Sequence, residues 1–214
     1  MSDLTQLMQN TPEWLQARCG SLGASDLHKA LARDRSGKGW GLTRASLLRQ
    51  LGAERMTGKP SVGYQNQNML TGQEREASAR KAYCWEKDVD IVEIGIIVHP
   101  RIKWTHASPD GLVGLDGIVE LKCPTQEVHY DNLGGATPSG AYLLQCCWQM
   151  ACSGRSWVDL CSFHPDFDQS LLITRIVRDD TAITQTEELV EKFLREVEAD
   201  VAKRHDLYRQ RVAA

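Results

Sequence analysis

The sequence predicts one α/β or α+β domain that spans residues 1–214. Apolar residues recur at helical spacing in the first third of the chain and after residue 180, whereas the middle carries alternating or continuously apolar, β-branched segments. A chain of 214 residues, 42% of them hydrophobic, can bury a core without crosslinks. No repeat or low-complexity linker divides the chain, so we expect helices and a sheet to pack as a single domain.

The helices are predicted from their caps and their apolar spacing. Thr11 with Pro12 is typical of a helix start, and this helix is expected to end near Cys19 and Gly20. Ser25 is expected to open a second helix as its cap. The other predicted helices cover residues 42–52, 66–85, 141–152 and 181–210.

The strands are predicted from alternation and β-branched residues. Residues 89–98 are expected to form a strand or one arm of a hairpin, and a Pro-Asp-Gly turn at 109–111 separates two short extended pieces. Further strands are predicted at 117–122, 156–163 and 170–177. The glycine-rich segment 125–141 connects the strand at 117–122 to the helix at 141–152.

The charge is unevenly distributed along the chain. The net charge of −3 gives no overall electrostatic reason to bind nucleic acid. Residues 29–59 nevertheless carry eight basic and two acidic side chains, and residues 179–200 carry eight acidic and two basic ones. Each run is either a solvated helix face or, for the basic run, a surface for a polyanion.

The location of the protein is predicted from the N-terminus, the hydropathy and the cysteines. The first residues lack the basic and apolar regions of a signal peptide, and no apolar run approaches the roughly 18 residues that a membrane span needs. Seven cysteines without a C-x-x-C spacing indicate reduced thiols rather than disulfides or a zinc site. We therefore expect a cytoplasmic protein with no membrane partner.

The most informative pattern is an aspartate in a turn followed by Glu-Leu-Lys at the end of a predicted strand. Residues two apart on a strand share a face, so Glu120 and Lys122 point to one side while Leu121 turns away. If Asp110 ends a neighbouring strand, its carboxylate lies beside Glu120, and two carboxylates suit a hard cation such as Mg²⁺. A lysine beside them can hold or deprotonate water and offset charge on a reacting phosphate.

The same residues also fit a plain structural interpretation. Asp110 with Gly111 is a common turn pair, and Glu120 with Lys122 is a common charge pair on a solvated strand face. The apolar run before Glu120 and the abrupt end at Pro124 instead place the charges at the end of a buried strand, where sites on α/β sheets commonly lie.

These motifs resemble those of the lambda-type exonucleases of phage recombination systems, within the restriction-endonuclease-like nucleases. The resemblance covers roughly residues 14–150 and keeps the order of the motifs. The residues that carry it are Trp14 with Arg18, Ala24 with Ser25, Arg35 to Lys38 with Trp40, Gly72 with Glu76, Ser108 to Leu112, Glu120 to Pro124, and Tyr142 with Gln145.

The resemblance implies a restriction-endonuclease-like core with a central mixed β-sheet flanked by helices. It implies a Mg²⁺-dependent deoxyribonuclease, with two ions and with Mn²⁺ able to substitute, that digests one strand of linear duplex DNA in the 5′→3′ direction. Mononucleotides would be released processively, and a 3′ single-stranded tail would remain for recombination. The implied partners are duplex DNA with a 5′-phosphate end, two further copies of the chain in a homotrimeric ring, and a single-strand annealing protein.

The resemblance also implies a role for each matching residue. Asp110, Glu120 and Lys122 would be catalytic. The metal ligands would be Glu76, Asp110, Glu120 and the Leu121 carbonyl, the 5′-phosphate would be held by Arg18, Ser25, Ser108 and Gln145, and the duplex would be contacted by Arg35, Lys38 and, as an apolar wedge, Met69.

Two other functions and three assignments stay open. A structure- or site-specific endonuclease or resolvase could use the same Asp, Glu and Lys, and an inactive DNA-end-binding module could share the surface. Glu74 competes with Glu76, but residues two apart on a helix point about 200° away from one another, so only one can face the site. Gln149, four residues after Gln145, and segment 125–141 have no assigned role.

Overall fold

Two β-sheets and seven α-helices make up the described part of the chain. The computed structural model describes residues 3–61 and 67–213, without the side chains of residues 67–73 and 213. The helices are α1 (Pro12–Ala17), α2 (Leu27–Ala30), α3 (Leu42–Thr57), α4 (Gln67–Lys87), α5 (Gln126–Leu133), α6 (Gly140–Ser153) and α7 (Asp180–Ala213). The strands are β1 (Leu22–Gly23), β2 (Ile91–Val92), β3 (Ile97–Val98), β4 (Thr105–Ala107), β5 (Gly111–Val113), β6 (Gly117–Lys122), β7 (Trp157–Phe163) and β8 (Leu171–Val177).

The larger sheet is mixed, as predicted. Its order is β2-β5-β6-β7-β8, with β6 and β7 parallel and the other neighbours antiparallel. Parallel neighbours need a crossover connection, and α5 and α6 occupy the one between β6 and β7. β6 is therefore an interior strand, hydrogen-bonded on both sides, and five of its six residues are buried.

The smaller sheet leads directly into the larger one. Its order is β1-β4-β3, with β1 parallel and β3 antiparallel to β4. Only residues 108–110 separate β4 from β5, so both sheets meet at the segment that contains Asp110. This short connection fixes Asp110 at the edge of β5, next to β6.

Helix α6 joins the two sheets through the main core. Its residue Trp148 is fully buried, stacks on His99 with ring centroids 4.9 Å apart, and donates a hydrogen bond from Nε1 to the Thr105 hydroxyl at 2.9 Å. The polar edge of the indole is thus satisfied within the core, as a buried tryptophan requires. The helix is thereby fixed against β4 at a middle turn.

Helix α4 is attached to the opposite face of the large sheet by a buried polar group. The hydroxyl of Tyr83 donates to Asp159 at 2.7 Å, and Arg175 donates to both oxygens of the same carboxylate at 2.8 Å. Burial alone would raise the pKa of Asp159, but these hydrogen bonds lower it. Glu76 lies two turns before Tyr83 on α4, so this contact also fixes the position of Glu76.

Two predicted elements differ near the N-terminus and in the middle of the chain. Ser25 does not cap a helix: Ala24–Asp26 is a 3-10 turn and α2 follows with only four residues, because the chain leaves β1 directly into the turn at Gly23. The connection 125–141, for which no helix was predicted, contains α5, and Gly134 caps its C-terminus. A helix of eight residues leaves too short a periodic pattern to detect.

Residues 89–98 form two separate strands rather than one. β2 pairs with β5 in the large sheet and β3 pairs with β4 in the small one, with Gly95 between them. The Gly95 amide donates to the Thr5 carbonyl at 2.8 Å, and a Cβ at residue 95 would overlap the Leu7 carbonyl oxygen. The N-terminal segment therefore separates two strands that the apolar pattern had joined.

Part of the basic run at residues 29–59 stabilises the fold. α3 extends to Thr57, beyond the predicted end, and stops at Gly58 with φ 66°. Arg44 on α3 is buried and pairs with Glu196 of α7 at 2.7 Å, and Arg55 donates to the Gly20 carbonyl at 2.9 Å. These two arginines bind within the protein, so fewer basic side chains remain for a polyanion.

None of the helices in the described ranges combines the length and the apolar composition that a membrane crossing requires.

The Asp159 group yields a stability prediction. Asp159→Asn should lower the free energy of unfolding by roughly 1.5–3 kcal/mol at neutral pH, because hydrogen bonds to a charged group are lost. The folded pKa of Asp159 lies below its unfolded value of 3.8, so this contribution is present above that value and disappears as the pH falls through the folded pKa.

Urea unfolding at pH 7 and near pH 3 measures the difference. The exposed Asp168→Asn serves as the control and should stay within about 0.5 kcal/mol of the original protein. A loss for Asp159→Asn that is equally large at both pH values would contradict the assignment.

Candidate active site

The end of β6 places Glu120 and Lys122 on one face, as the alternation predicts. The ammonium of Lys122 lies 2.5 Å from Oε1 of Glu120, and both side chains point toward α6. Glu120 is 3% exposed, so the pair is held away from bulk water. A buried carboxylate needs partners of this kind to remain charged.

Asp110 lies beside this pair, at the start of β5. Its Oδ2 accepts a hydrogen bond from the Leu121 amide at 2.6 Å. Gly111 lets the chain pass close to β2 here, because a Cβ at residue 111 would overlap the Ile91 side chain. Burial first, and then the charges of Glu120 and Glu76, raise the pKa of Asp110 well above its ordinary value, although Lys122 opposes the shift.

Lys122 is held in its charged form. Burial favours the neutral amine, but the nearby charges of Glu120 and Asp110 outweigh it and raise the pKa of Lys122. The ammonium also lies 4.9 Å from the ring centroid of Tyr142, a cation–π distance. These neighbours favour the protonated lysine, which acts as a hydrogen-bond donor to Glu120 and Gln145.

Two glutamines of α6 contact the Glu120 carboxylate. Gln145 donates from Nε2 to Oε1 of Glu120 at 2.6 Å and accepts a hydrogen bond from Lys122 at 3.1 Å. Gln149 donates to the other oxygen, Oε2. Gln145 and Gln149 are one turn apart on the helix and therefore share a face. Gln145 thus contacts both Glu120 and Lys122 directly.

Glu76 reaches the same region from α4. It is half-buried, whereas Glu74 is exposed, and it pairs with Arg80 one turn later at 2.8 Å. Arg80 also donates to the backbone carbonyl of Asp110 at 3.2 Å. Arg80 therefore joins α4 to the turn that carries Asp110.

The side chains predicted to bind metal lie in the same region, but each makes hydrogen bonds or ion pairs with a different set of protein groups. Glu120 is bound by Lys122 and the glutamines, and Glu76 is bound by Arg80. Among the residues that the structure describes, no three His, Cys, Asp or Glu side chains are arranged to hold one metal ion. Two adjacent carboxylates, Asp110 and Glu120, remain as the centre of the site.

Arg18 is positioned by His106, which belongs to none of the motifs. Its Nε donates to Nε2 of His106 at 2.8 Å, and its guanidinium lies 3.9 Å from the centroid of the Trp14 ring. Because Nε2 accepts, the imidazole proton is on Nδ1, which donates to the Ser21 hydroxyl at 2.9 Å. Burial first, and then the charge of Arg18, lower the pKa of His106 to about 3.

Ser108 and Ser25 differ in their surroundings. The hydroxyl oxygen of Ser108 is buried and has no hydrogen-bond partner among the described residues, which is uncommon for a buried polar atom. Ser108 follows His106 by two residues, one strand step beyond the residue that holds Arg18. Ser25 is exposed, in the 3-10 turn after β1.

The predicted DNA-contact residues lie on a closed loop. Arg35 and Lys38 are exposed between Arg33 and Trp40, which pair as an antiparallel bridge. The indole of Trp40 lies 3.9 Å from the Arg33 guanidinium, and the Asp34 carboxylate accepts from the amide and hydroxyl of Ser36. The loop therefore has a defined shape without a ligand. Met69 is in α4, and its side chain is outside the described part of the structure.

A cavity of about 260 Å³ opens on the other side of Lys122. Lys122 and Tyr142 form one wall, and α5 with residues 136–139 forms another. The segment 125–141, which had no assigned role, thus borders the candidate active site.

Two of the residues missed by sequence reasoning carried a usable signal. His106 precedes Ser108 by two residues on an extended segment, so the alternation of a strand placed both on one face. Arg80 follows Glu76 by four residues on a helix, which is the spacing of an ion pair. The contact between Gln149 and Glu120 had no such local signal, because the residues are far apart in the chain.

Comparison with known proteins gives one family and several structures. The family described as a YqaJ-like viral recombinase domain matches residues 13–156. The crystal structure of the alkaline exonuclease LHK-Exo from Laribacter hongkongensis is similar at 34% identity and a TM-score of 0.86, covering 94% of this chain and 99% of that one. LHK-Exo in complex with dAMP matches with the same identity and coverage and a TM-score of 0.87.

A more distant structure shares the fold alone. A phage-related exonuclease from Haemophilus somnus 129PT is 15% identical, with a TM-score of 0.63 over 86% of this chain and 96% of that one. Comparison with the curated proteins finds no match. Together the matches confirm the resemblance predicted from the motifs and the mixed-sheet nuclease fold.

The buried His106 predicts a pH dependence of stability. Its unfolded imidazole takes up a proton near pH 6.5, whereas the folded one does not until about pH 3. The unfolded state then binds more protons between these values, so the folded state loses stability as the pH falls from 6.5. His106→Gln, which has no titrating group, should lack this part of the loss.

Urea unfolding of both proteins at pH 7.5 and pH 5 is the measurement. The free energy of unfolding of the original protein should fall more between these pH values than that of His106→Gln. An equal fall in both proteins would show that His106 does not stay neutral on folding.

Proposed function

Since this chain belongs to the YqaJ-like viral recombinase domain family, we propose that it is a deoxyribonuclease that digests one strand of linear duplex DNA from the 5′ end. It releases mononucleotides and leaves a 3′ single-stranded tail for homologous recombination. The likeness to an alkaline exonuclease over nearly the whole of both chains supports the exonuclease class. The complex of that relative with dAMP supports a nucleotide as product.

The observation that carries the proposal is the group formed by Asp110, Glu120 and Lys122 at one strand end. Two carboxylates and an ammonium meet in a buried position, and Ser108, two residues before Asp110, has a buried hydroxyl without a partner among the described residues. Perturbed, buried ionisable groups of this kind are typical of active sites. Their chemistry fits hydrolysis of a phosphodiester, which needs charge stabilisation and a positioned water.

A divalent cation fits the residues that are present. Nucleases of this kind generally use divalent metal ions, and carboxylate oxygens are the ligands that Mg²⁺ prefers. Burial first, and then the negative charges of Glu120 and Glu76, raise the pKa of Asp110, and a cation would offset the contribution of those charges. We assign Asp110, Glu120 and the Leu121 carbonyl as ligands, with Glu76 reaching the ion directly or through water. Two Mg²⁺ ions are proposed, with Mn²⁺ able to substitute.

In the proposed reaction, water attacks the scissile phosphorus and the bond to O3′ of the terminal nucleotide breaks. Bound Mg²⁺ would polarise the phosphate and lower the pKa of water. Lys122, held charged, would orient the water and offset the charge that grows on the phosphate. The remaining strand keeps the phosphate as a new 5′ end, so the next cycle starts from the same kind of substrate.

Recognition of that 5′-phosphate is proposed for Arg18, Ser25, Ser108 and Gln145. Arg18 is fixed by His106 and Trp14 with its Nε already bonded, which leaves its terminal nitrogens to bind a phosphate. The buried Ser108 hydroxyl has no hydrogen-bond partner among the described residues, so its hydrogen-bonding capacity is not used there. The Gln145 amide already contacts Glu120 and Lys122. It would therefore have to bind the phosphate in addition to these two side chains.

Processive digestion is proposed to depend on a ring of three chains around the DNA. A closed ring that encircles the DNA stays on it even when each chain binds DNA weakly. Weak binding is expected of a chain with a net charge of −3. Arg35 and Lys38 on the preformed loop, and Met69 as a wedge, would contact the duplex. A single-strand annealing protein would receive the 3′ tail, and we place these steps in the cytoplasm.

Digestion of a linear duplex labelled separately at each end, beside a covalently closed circle, tests this function. In Mg²⁺, the 5′ label should leave as mononucleotide before the 3′ label is lost, and the circle should survive. Cutting of the circle would favour an endonuclease or resolvase. Binding to ends without any product would favour an inactive end-binding module.

Lys122→Met should abolish most of the chemistry while duplex ends still bind. It keeps the apolar stem and removes the charge, so we expect the rate of a single turnover to fall by about 10²–10³ or more. The exposed Lys103→Met is the matched control and should cleave normally. Gel-shift binding and single-turnover cleavage are compared for folded proteins, and retained turnover would remove Lys122 from the mechanism.

Arg18→Ala should lose the preference for phosphorylated over hydroxyl 5′ ends. The ratio of cleavage rates on the two substrates measures this preference directly, because a general folding defect lowers both rates together. Arg209→Ala, at an exposed arginine of α7, is the control and should keep the ratio. An unchanged ratio in Arg18→Ala would exclude Arg18 from phosphate recognition.

A further inference from the structure

We propose that Gln149 is a positioning residue that determines which oxygen of Glu120 faces the divalent cation. Its amide holds Oε2 of Glu120 in place, and Oε2 is the oxygen that binds the metal. The inference rests on the proposed function, since it concerns the same carboxylate. Gln149 had no role in the motif pattern, and its contact is visible only in the folded chain.

The two oxygens of Glu120 have different numbers of donors. Oε1 accepts from the Lys122 ammonium at 2.5 Å and from Gln145 at 2.6 Å. A carboxylate oxygen has about two lone-pair positions, so Oε1 is fully used. Oε2 accepts only from Gln149 among the described residues, which leaves one position on Oε2 for a cation.

Burial makes the Gln149 contact a fixed one. Gln149 is fully buried and Glu120 nearly so, which keeps water from competing for Oε2. The neighbours of Gln149 on α6, Trp148 and Met150, are buried in the main core. Because Trp148 is stacked on His99, the helix cannot rotate Gln149 away from β6 without breaking the core.

The other end of the Gln149 amide indicates that the residue serves Glu120 rather than the fold. Its Oε1 is buried without a hydrogen-bond partner among the described residues. A buried carbonyl without a partner is unfavourable, and an apolar side chain of the same shape would avoid it. Turning the amide over would set this oxygen against the Glu120 carboxylate, so the nitrogen must face Oε2.

Gln149→Met tests the inference because it keeps the size of the side chain and removes the donor. Partners behind metal ligands typically change metal affinity roughly 10–100-fold, so we expect Mg²⁺ to bind that much more weakly. Titration calorimetry with Mg²⁺ alone, without DNA, gives the dissociation constant independently of catalysis. Binding of duplex ends without metal should be unchanged, and turnover should recover in part at high Mg²⁺.

Two further variants keep the test decisive. Gln149→Asn retains an amide that is one methylene too short to reach Oε2, and it should also weaken Mg²⁺ binding. This variant replaces Gln149→Met if Gln149→Met folds poorly. Cys152→Ala, at another buried residue of α6, is the control and should keep the dissociation constant. Folding of each variant is checked by its thermal midpoint.

The outcomes separate this inference from the proposed function. If the original protein binds Mg²⁺ and digests 5′ ends while a folded Gln149→Met binds Mg²⁺ within about twofold of it, the positioning role is overturned and the exonuclease proposal stands. If the original protein neither binds Mg²⁺ nor cleaves, the proposed function itself fails and the inference falls with it.

Discussion

The structure depends on holding one charged carboxylate, that of Glu120, inside the protein. Its three donors come from two elements: Lys122 from the same strand, and Gln145 and Gln149 from α6. A buried charge without such partners would be costly, so β6 and α6 must meet in one register. The stacking of Trp148 on His99 helps to fix that register.

The connection between the two sheets brings the remaining chemistry to this carboxylate. Within five residues, the chain passes from His106, which holds Arg18, through Ser108 to Asp110, which accepts from the Leu121 amide. A segment of five residues therefore links the proposed phosphate-binding arginine to the proposed catalytic carboxylates. In the proposed reaction this fixed spacing defines which phosphodiester is cut relative to the 5′-phosphate.

Local patterns predicted what depends on neighbours in the chain. The alternation of residues 117–122 correctly placed Glu120 and Lys122 on one face, and the mixed sheet that the family resemblance implied is confirmed. The errors have a common cause in contacts from distant segments. Gly95 separates β2 from β3 because the N-terminal segment packs on it, and Arg44 is withdrawn from the basic surface by Glu196 of α7.

The sequence by itself determined the family and the order of the motifs, because residue types at fixed spacing are recorded in the chain. It also determined that Asp110, Glu120 and Lys122 lie near a strand end. Only the tertiary structure decided which donor faces which oxygen of Glu120, and that His106 holds Arg18. These contacts join residues far apart in the sequence, and their geometry exists only when sheet and helix pack together.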